Sequence, residues 1–175
     1  MNTPITIAIS ACLLGKNTRY DGGSRPEPLL VAALGSSASL LPLCPEAECG
    51  FGIPREPMQL EGDPKNPRLM TITSRSDLTD RMRTWCDQRL KTLADQSLHG
   101  LILKARSPSC GKEVAVHGAG NGKPAYSPGL FAGLAMERFP DLPVADEEEL
   151  RDPERLKDFL SRITSGKQNT QENHR

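Results

Sequence analysis

Residues 101–111 have the sequence LILKARSPSCG, and the rest of the chain is organised around this stretch. Its apolar start, LIL, is short and follows Gly100, which predicts a buried strand. The chain then passes through a Ser-Pro-Ser segment and reaches Cys110, which a glycine follows. The stretch therefore predicts a strand that delivers a cysteine just beyond its carboxyl end.

Two other segments repeat this arrangement of an apolar strand followed by a cysteine. Residues 5–9 (ITIAI) lead to Cys12, and residues 40–43 (LLPL) lead to Cys44. If the three strands are parallel neighbours, their carboxyl ends meet at one rim of the sheet. We therefore expect the thiols of Cys12, Cys44 and Cys110 to converge there.

The predicted strands alternate with helical patterns, which is typical of a parallel sheet covered on both faces. The longest helical pattern begins at Ser76 and ends near Gly100, where a glycine suits a helix stop. Residues 49–67 are rich in proline and glycine, and we expect them to form a long ordered loop at one wall of a site. The pattern predicts one Rossmann-like, three-layer α/β domain over residues 1–164, with a mainly parallel sheet and the active site at the carboxyl ends of its strands. Residues 165–175 are expected to be a disordered tail.

Charge and length exclude several classes of function. The chain has 175 residues, with 22 basic and 22 acidic side chains, so it has no overall charge with which to attract nucleic acid or an anionic membrane. A secretory signal would require a basic region before the first apolar strand, and none is found there. No apolar run has the length of a membrane span. We expect a cytoplasmic protein that acts on a small molecule.

The five cysteines indicate chemistry rather than disulfides. In a reducing compartment, clustered thiols are typical of metal, redox or nucleophilic sites, whereas a single cysteine is usually a small buried hydrophobe. Cys86 falls beside Trp85 on the apolar face of the long helix, so we expect it to pack in the core. The others lie in loops or just beyond strands: Cys12, Cys44, Cys49 and Cys110.

The spacing of these cysteines leaves the kind of chemistry open. Three cysteines in separate loops do not form the CxxC pair of a dithiol redox site. A structural zinc site normally has four ligands, and Cys49, near Cys44, is a candidate for the fourth. An iron–sulfur cluster held by three thiolates instead keeps an open position on one iron, which can act as a Lewis acid.

The polar residues near the cysteines also have two interpretations. Glu46 is suited to proton transfer, and the two hydroxyls of residues 107–109 are suited to hydrogen bonds with a substrate or a cluster sulfide. A solvated acid and an ordinary Ser-Pro-Ser turn explain them equally well. A thiol hydrolase is a further alternative, in which His117 would activate Cys110 or Cys12, although no recognisable motif surrounds that histidine.

A family resemblance favours one of these alternatives. Five motifs carry it, in matching order from about residue 5 to residue 145: SACLLG (10–15), RYDG (19–22), CPE (44–46), GIPREP (52–57) and KARSPSCG (104–111). Through these motifs the chain resembles the thiouracil desulfidase (TudS) family. The resemblance implies a 4Fe–4S cluster held by only three cysteines, whose open iron captures the sulfur of a thiolated uracil. Water then replaces that sulfur, which gives the oxo base and hydrosulfide without a net redox change.

The resemblance also implies roles for individual residues. The catalytic acid/base falls on Glu46 and the catalytic serine on Ser107. Cys49 departs from the motif, and as a fourth ligand it would close the open iron and remove the activity. The implied cluster ligands are Cys12, Cys44 and Cys110. By charge, hydroxyl chemistry and loop position, contacts with the substrate or its phosphate are expected from Arg19, Asp21, Arg55, Lys104 and Ser109.

The expected function is thus removal of sulfur from 4-thiouracil, 4-thiouridine or its 5′-monophosphate. Thiolated transfer RNA carries the same base, but the neutral charge of the chain favours the small molecule. The alternative is a zinc or iron–sulfur module that serves stability or partner binding, without catalysis.

Overall fold

The computed structural model describes residues 5–36, 38–120 and 122–172, with side chains described as far as residue 165. Two short 3-10 turns cover Ala11–Leu14 and Glu149–Arg151. The helices are α1 (Pro28–Leu34), α2 (Pro45–Glu48), α3 (Thr79–Ala94), α4 (Leu130–Arg138) and α5 (Pro153–Glu172). The strands are β1 (Ile5–Ser10), β2 (Ala38–Leu43), β3 (Met58–Glu61), β4 (Arg68–Thr71), β5 (Leu98–Leu103), β6 (Val114–His117), β7 (Tyr126–Ser127) and β8 (Val144–Asp146).

The central sheet has the strand order β2-β1-β5-β8, and every neighbouring pair is parallel. On β1, Ile7 and Ile9 pack into a core cluster that includes residues of α1 and α5, whereas Ala8 belongs to the cluster that includes residues of α3 and α4. Helices thus cover both faces of the sheet, because its central strands are apolar on both sides. The predicted α/β fold with a parallel sheet is confirmed.

A second, smaller sheet lies partly in the segment that the sequence predicts as one long loop. Its order is β4-β3-β6-β7, with β3 parallel to β6 and the two outer pairs antiparallel. Leu60 of β3 and Leu69 of β4 are fully buried in the same core cluster as α3. The expected loop over residues 49–67 is therefore interrupted by β3, because a strand of four residues is too short to show a periodic pattern. Its position at one wall of the site is as expected, since Arg55, Pro57 and Met58 line the cavity described below.

Helix α3 is shorter at both ends than its sequence pattern predicts. It ends at Ala94, and β5 begins at Leu98, so Gly100 lies inside a strand and is not a helix stop. A Cβ atom at Gly100 would lie 3.0 Å from side-chain atoms of both Phe159 and Ile163. The glycine is needed because α5 packs closely against β5 at this point.

Two further expectations concern the membrane and the carboxyl terminus. Among the described residues, no helix combines the length and the apolar character needed to cross a bilayer. The predicted disordered tail over residues 165–175 falls almost wholly on positions whose side chains or backbone lie outside the described residues. It stays a prediction.

Candidate active site

The carboxyl ends of the four parallel strands meet at one rim of the central sheet. The chain segments that come after these strands enclose a cavity of about 540 Å³ at this rim. Cys12 after β1, Cys44 after β2 and Cys110 after β5 all line this cavity. The structure thus brings together the three thiols that the strand ends lead one to expect at a single rim.

Cys12 lies in the 3-10 turn that follows β1 and is 8% exposed. Burial raises the pKa of its thiol to about 11, and the neighbouring Cys44 thiol adds to this effect. Lys104 and Arg19 act in the opposite direction on the same pKa, because their positive charges favour the thiolate. The cavity therefore contains cations that stabilise negative charge on sulfur.

Cys110 is held by a turn that the Ser107 side chain closes. The Ser107 Oγ accepts hydrogen bonds from the backbone N–H groups of Ser109 (3.3 Å) and Cys110 (3.1 Å). Ser107 also lines the cavity, as the three thiols do. Burial raises the pKa of the Cys110 thiol well above its ordinary value, and the negative charge of Glu46 adds to this shift.

The Cys110 turn packs against the start of α4, and two glycines make this approach possible. The Gly129 N–H donates to the Gly111 carbonyl at 2.8 Å, and the Ala132 N–H donates to the Ser109 carbonyl at 3.1 Å. A Cβ atom at Gly129 would lie 2.5 Å from the carbonyl carbon of Ser109, and one at Gly111 would lie 2.9 Å from the carbonyl oxygen of Ser107. Neither position has room for a side chain.

Thr18 joins the Cys44 segment to the wall of the cavity. Its carbonyl oxygen accepts a hydrogen bond from the Cys44 Sγ at 3.6 Å and another from Arg55 Nη2 at 3.0 Å. Its hydroxyl oxygen is buried and has no hydrogen-bond partner among the described residues. An unpartnered buried hydroxyl is costly, and a polar group bound beside Thr18 would relieve this cost.

Glu46 is buried at 8% exposure and is not the solvated acid of one sequence interpretation. Its Oε2 accepts a hydrogen bond from Arg55 Nε at 2.8 Å, and its Oε1 accepts one from the Ser109 hydroxyl at 2.9 Å. Arg55 in turn donates to the Gly52 carbonyl at 3.0 Å. The carboxylate is thus fixed between two donors at the cavity wall.

Basic side chains surround the cavity, and most of them have acidic partners. Lys104 pairs with the buried Glu147, which also accepts a hydrogen bond from the Ala105 N–H at 2.7 Å. Arg25 forms no ion pair with any described residue, and its side chain donates a long hydrogen bond of 3.4 Å to the Ser24 carbonyl. The cationic residues of the lining are Arg19, Arg25, Arg55, Lys104 and Arg106.

Two residues predicted to contact substrate do not line the cavity. Ser109 is fully buried and contacts Glu46. Asp21 pairs with Arg19 at 3.3 Å and accepts a hydrogen bond from the Gly23 N–H, so it shapes the loop that carries Arg19. These hydrogen bonds to Asp21 lower the pKa of its carboxyl group.

The remaining cysteines and His117 lie elsewhere. The Cys49 thiol donates to the Arg81 carbonyl at 3.6 Å and does not line the cavity that contains Cys12, Cys44 and Cys110. Cys86 is fully buried, as its position on the apolar helix face predicts. His117, the base of the thiol-hydrolase alternative, is exposed on β6 and does not line the cavity.

Thr18, Arg25 and Glu147 are lining or supporting residues that sequence reasoning missed. Glu147 stands in the acidic run 146–149, whose composition is typical of the start of a helix and gives no sign of a site residue. Thr18 and Arg25 flank the RYDG motif, and that proximity is the one local signal that points to them.

The family model described as 2-thiouracil desulfurase matches residues 7–147. The chain belongs to the 2-thiouracil desulfurase family. The matched range extends from β1, through all three cavity cysteines, to Glu147.

The chain is also similar to two known proteins. The uncharacterized protein YbbK of Bacillus subtilis (strain 168) is 30% identical over 151 residues, which cover 83% of this chain and 98% of YbbK. The solved structure of the 4Fe–4S-dependent thiouracil desulfidase TudS superposes with a TM-score of 0.67 at 28% identity. That match covers 85% of this chain and 94% of TudS.

Proposed function

We propose that this chain is a 4Fe–4S-dependent desulfidase that removes sulfur from thiolated uracil derivatives. The observation that carries the proposal is the cavity in which the thiols of Cys12, Cys44 and Cys110 stand together with the buried carboxylate of Glu46. Membership of the 2-thiouracil desulfurase family and the likeness to TudS support it. The proposed products are the oxo base and hydrogen sulfide.

The residues of the cavity fit an iron–sulfur cluster. Cys12, Cys44 and Cys110 would hold it, since such clusters are bound by thiolates and no described histidine lines the cavity. Among the described residues, no group of three or more His, Cys, Asp or Glu side chains is placed to hold a single metal ion. In a cluster different irons take different thiolates, so the three thiols need not surround a single ion. The unpartnered Thr18 hydroxyl and the nearby cations fit a sulfide-rich, negatively charged group.

The cluster, when bound, would supply a Lewis acid at an iron that no cysteine binds. Glu46 accepts a proton from the attacking water, and Arg55 and Ser109 hold its carboxylate in place for this step. Ser107 donates a hydrogen bond to the base or passes a proton to it, since its hydroxyl oxygen already accepts from the backbone and its hydrogen remains available. Water supplies the oxygen of the oxo base. One of its two protons leaves with the sulfur as hydrosulfide, and the other, which Glu46 accepts, passes to the solvent. A carbon–sulfur double bond is thus exchanged for a carbon–oxygen double bond, and the reaction needs no electron donor.

The proposed substrates are 4-thiouracil, 4-thiouridine and its 5′-monophosphate. A cavity of about 540 Å³ lies within the range of small-molecule sites, which is about 300 to 1,000 Å³. Arg25, a cation without an acidic partner among the described residues, favours the phosphorylated substrate. The zero net charge of the chain gives no support to binding of a long nucleic acid.

We place this activity in the cytoplasm. All five cysteines are free thiols, which a reducing compartment maintains.

Anaerobic reconstitution with iron and sulfide tests the proposed cofactor. We expect about four irons per chain and a visible charge-transfer band in the wild type and in Cys49→Ala, whose thiol does not line the cavity. We expect Cys110→Ala to lose the cluster. Tight binding of one zinc ion per chain, or loss of iron on replacing Cys49, would contradict the proposal.

Steady-state assays with 4-thiouracil and its nucleotide test the proposed role of Glu46. We expect Glu46→Gln to keep the iron content and the visible spectrum but to lose about 100-fold or more in kcat, because general acid–base catalysis contributes about 10² to 10⁴. Wild-type turnover by this variant would remove Glu46 from the mechanism.

A further inference from the structure

Ser109 connects two of the segments that carry the cavity cysteines. It is adjacent to Cys110 in sequence, and its hydroxyl donates to Oε1 of Glu46, which lies two residues beyond Cys44. The two residues are 63 positions apart, and both are buried. This hydrogen bond is therefore a tertiary contact inside the site.

A direct contact between Ser109 and the substrate does not fit this position. The Ser109 side chain has no exposed surface and does not line the cavity. Its backbone is also fixed, since its carbonyl accepts from the Ala132 N–H and Gly129 leaves no space behind it. The hydroxyl can therefore act on the reaction only through Glu46.

Arg55 complements Ser109 on the other oxygen of the same carboxylate. It contacts Oε2 at 2.8 Å and is itself anchored by the carbonyls of Gly52 and Thr18. With a donor on each oxygen, the carboxylate of Glu46 cannot rotate about its terminal bond without breaking a charge-assisted hydrogen bond. The lone pairs not engaged by these donors remain for a proton.

We propose that Ser109 is a positioning residue, which together with Arg55 fixes the orientation of the Glu46 carboxylate for proton transfer at the cavity. This inference rests on the proposed acid–base role of Glu46. It assigns to Ser109 a role in turnover, and it assigns none in holding the substrate. Loss of the hydroxyl therefore lowers kcat and leaves KM, iron binding and folding close to those of the wild type.

The test compares Ser109→Ala with Ser127→Ala in the reconstituted full-length protein. Ser127 is the matched control because it is also a buried serine near the start of α4, and its hydroxyl bonds to the Pro128 carbonyl. For Ser109→Ala we expect a loss of about 10- to 100-fold in kcat, the scale of a misplaced catalytic group, with KM changed less than about twofold. The control should keep wild-type kinetics. Iron content, the visible spectrum and the unfolding midpoint of the apo protein are measured for both.

A double-mutant cycle then shows whether the serine acts through Glu46. In the Glu46→Gln background, whose residual rate is measured with high enzyme concentrations, Ser109→Ala should cause less than about a twofold further loss, because coupled residues are non-additive. An undiminished further loss, a rise in KM alone, or loss of iron or of folding in Ser109→Ala would overturn the inference. Wild-type turnover by Glu46→Gln would instead defeat the proposed function itself. A normal rate in Ser109→Ala beside an inactive Glu46→Gln would defeat this inference alone.

Discussion

Arg55 and Glu46 form a buried ion pair at the wall of the cavity, with the Nε and Nη2 atoms of Arg55 each 2.8 Å from Oε2 of Glu46. The side chains are only 5% and 11% exposed. A carboxylate buried to this extent needs a charged partner or several donors, because burial removes its hydration. The pair therefore holds the Glu46 side chain in place at the wall of the cavity that the three thiols line.

Removal of Arg55 should destabilise the protein as well as impair turnover. We expect Arg55→Leu to lower the free energy of unfolding of the apo protein by about 3 kcal/mol, because it leaves the Glu46 charge buried and unpaired. Arg68→Leu is the control, since Arg68 pairs with Asp77 at 3.9 Å and both side chains are about half exposed. Its loss should stay below about 0.5 kcal/mol, as for other surface pairs. Equal losses in urea unfolding would contradict the importance of the buried pair.

Gly129 should be essential for the geometry of the Cys110 turn. A Cβ atom there would lie 2.6 Å from the Ser109 carbonyl oxygen and 2.9 Å from the Cys110 nitrogen. We expect Gly129→Ala to lower the free energy of unfolding by about 1 to 3 kcal/mol, the scale of overpacking, and to reduce iron per chain after reconstitution.

Gly133→Ala provides the comparison for this prediction. Gly133 lies in α4, four residues further on, and a Cβ atom there would meet nothing closer than Pro128 at 3.5 Å. This change should stabilise the protein by up to about 1 kcal/mol, because alanine favours a helix more than glycine does. Full iron loading of Gly129→Ala would show that the turn tolerates displacement.

The sequence predicts the positions of the cysteines better than it predicts their surroundings. The strands β1, β2 and β5 are recognisable because each is a local apolar run, and the parallel arrangement then places Cys12, Cys44 and Cys110 at one rim. The signal of the second sheet is weaker, since its strands have only two to four residues, too few for a periodic pattern to stand out.

The partners of the site residues are equally hidden in the sequence. The Glu46 carboxylate finds Ser109 across 63 residues, and Lys104 finds Glu147 across 43. A sequence names such residues but does not give the distances between them. Ser109 could therefore be assigned to the site, but its hydrogen bond to Glu46 could not be predicted. The family resemblance identifies the motif residues. It says nothing about the contacts of Glu147, because this residue lies outside the motifs.

The buried thiol of Cys86 should make stability depend on alkaline pH. Burial raises its pKa from 9.0 to about 12, and the nearby Cys49 thiol adds to the shift. The unfolded chain thus ionises at lower pH than the folded protein, so the stabilisation is complete below pH 9 and is lost as the pH rises towards 12. The stability difference between wild type and Cys86→Ala should shrink by about 1.4 kcal/mol from pH 8 to pH 10.

Met82→Leu is the reference for this pH effect. Met82 is fully buried on the same helix and has no group that titrates in this range. Its stability difference from the wild type should therefore be the same at both pH values, as measured by denaturant unfolding of the apo protein. A constant difference for Cys86→Ala as well would show that its thiol does not titrate on unfolding.

Arg25 should distinguish phosphorylated from unphosphorylated substrates. It lines the cavity, is exposed, and has no acidic partner among the described residues, so its charge is available to a phosphate. We expect Arg25→Ala to raise KM for 4-thiouridine 5′-monophosphate about tenfold, the value of one charge-assisted hydrogen bond, and to leave KM for 4-thiouracil within about twofold. Lys16→Ala is the control, because Lys16 is an exposed cation in the same loop and does not itself line the cavity. This change should affect neither constant.

An equal rise in KM for base and nucleotide would mean that Arg25 contacts the uracil ring or shapes the loop. A fall in activity towards the nucleotide at high ionic strength, absent in Arg25→Ala, would give independent support, because salt screens an exposed phosphate contact.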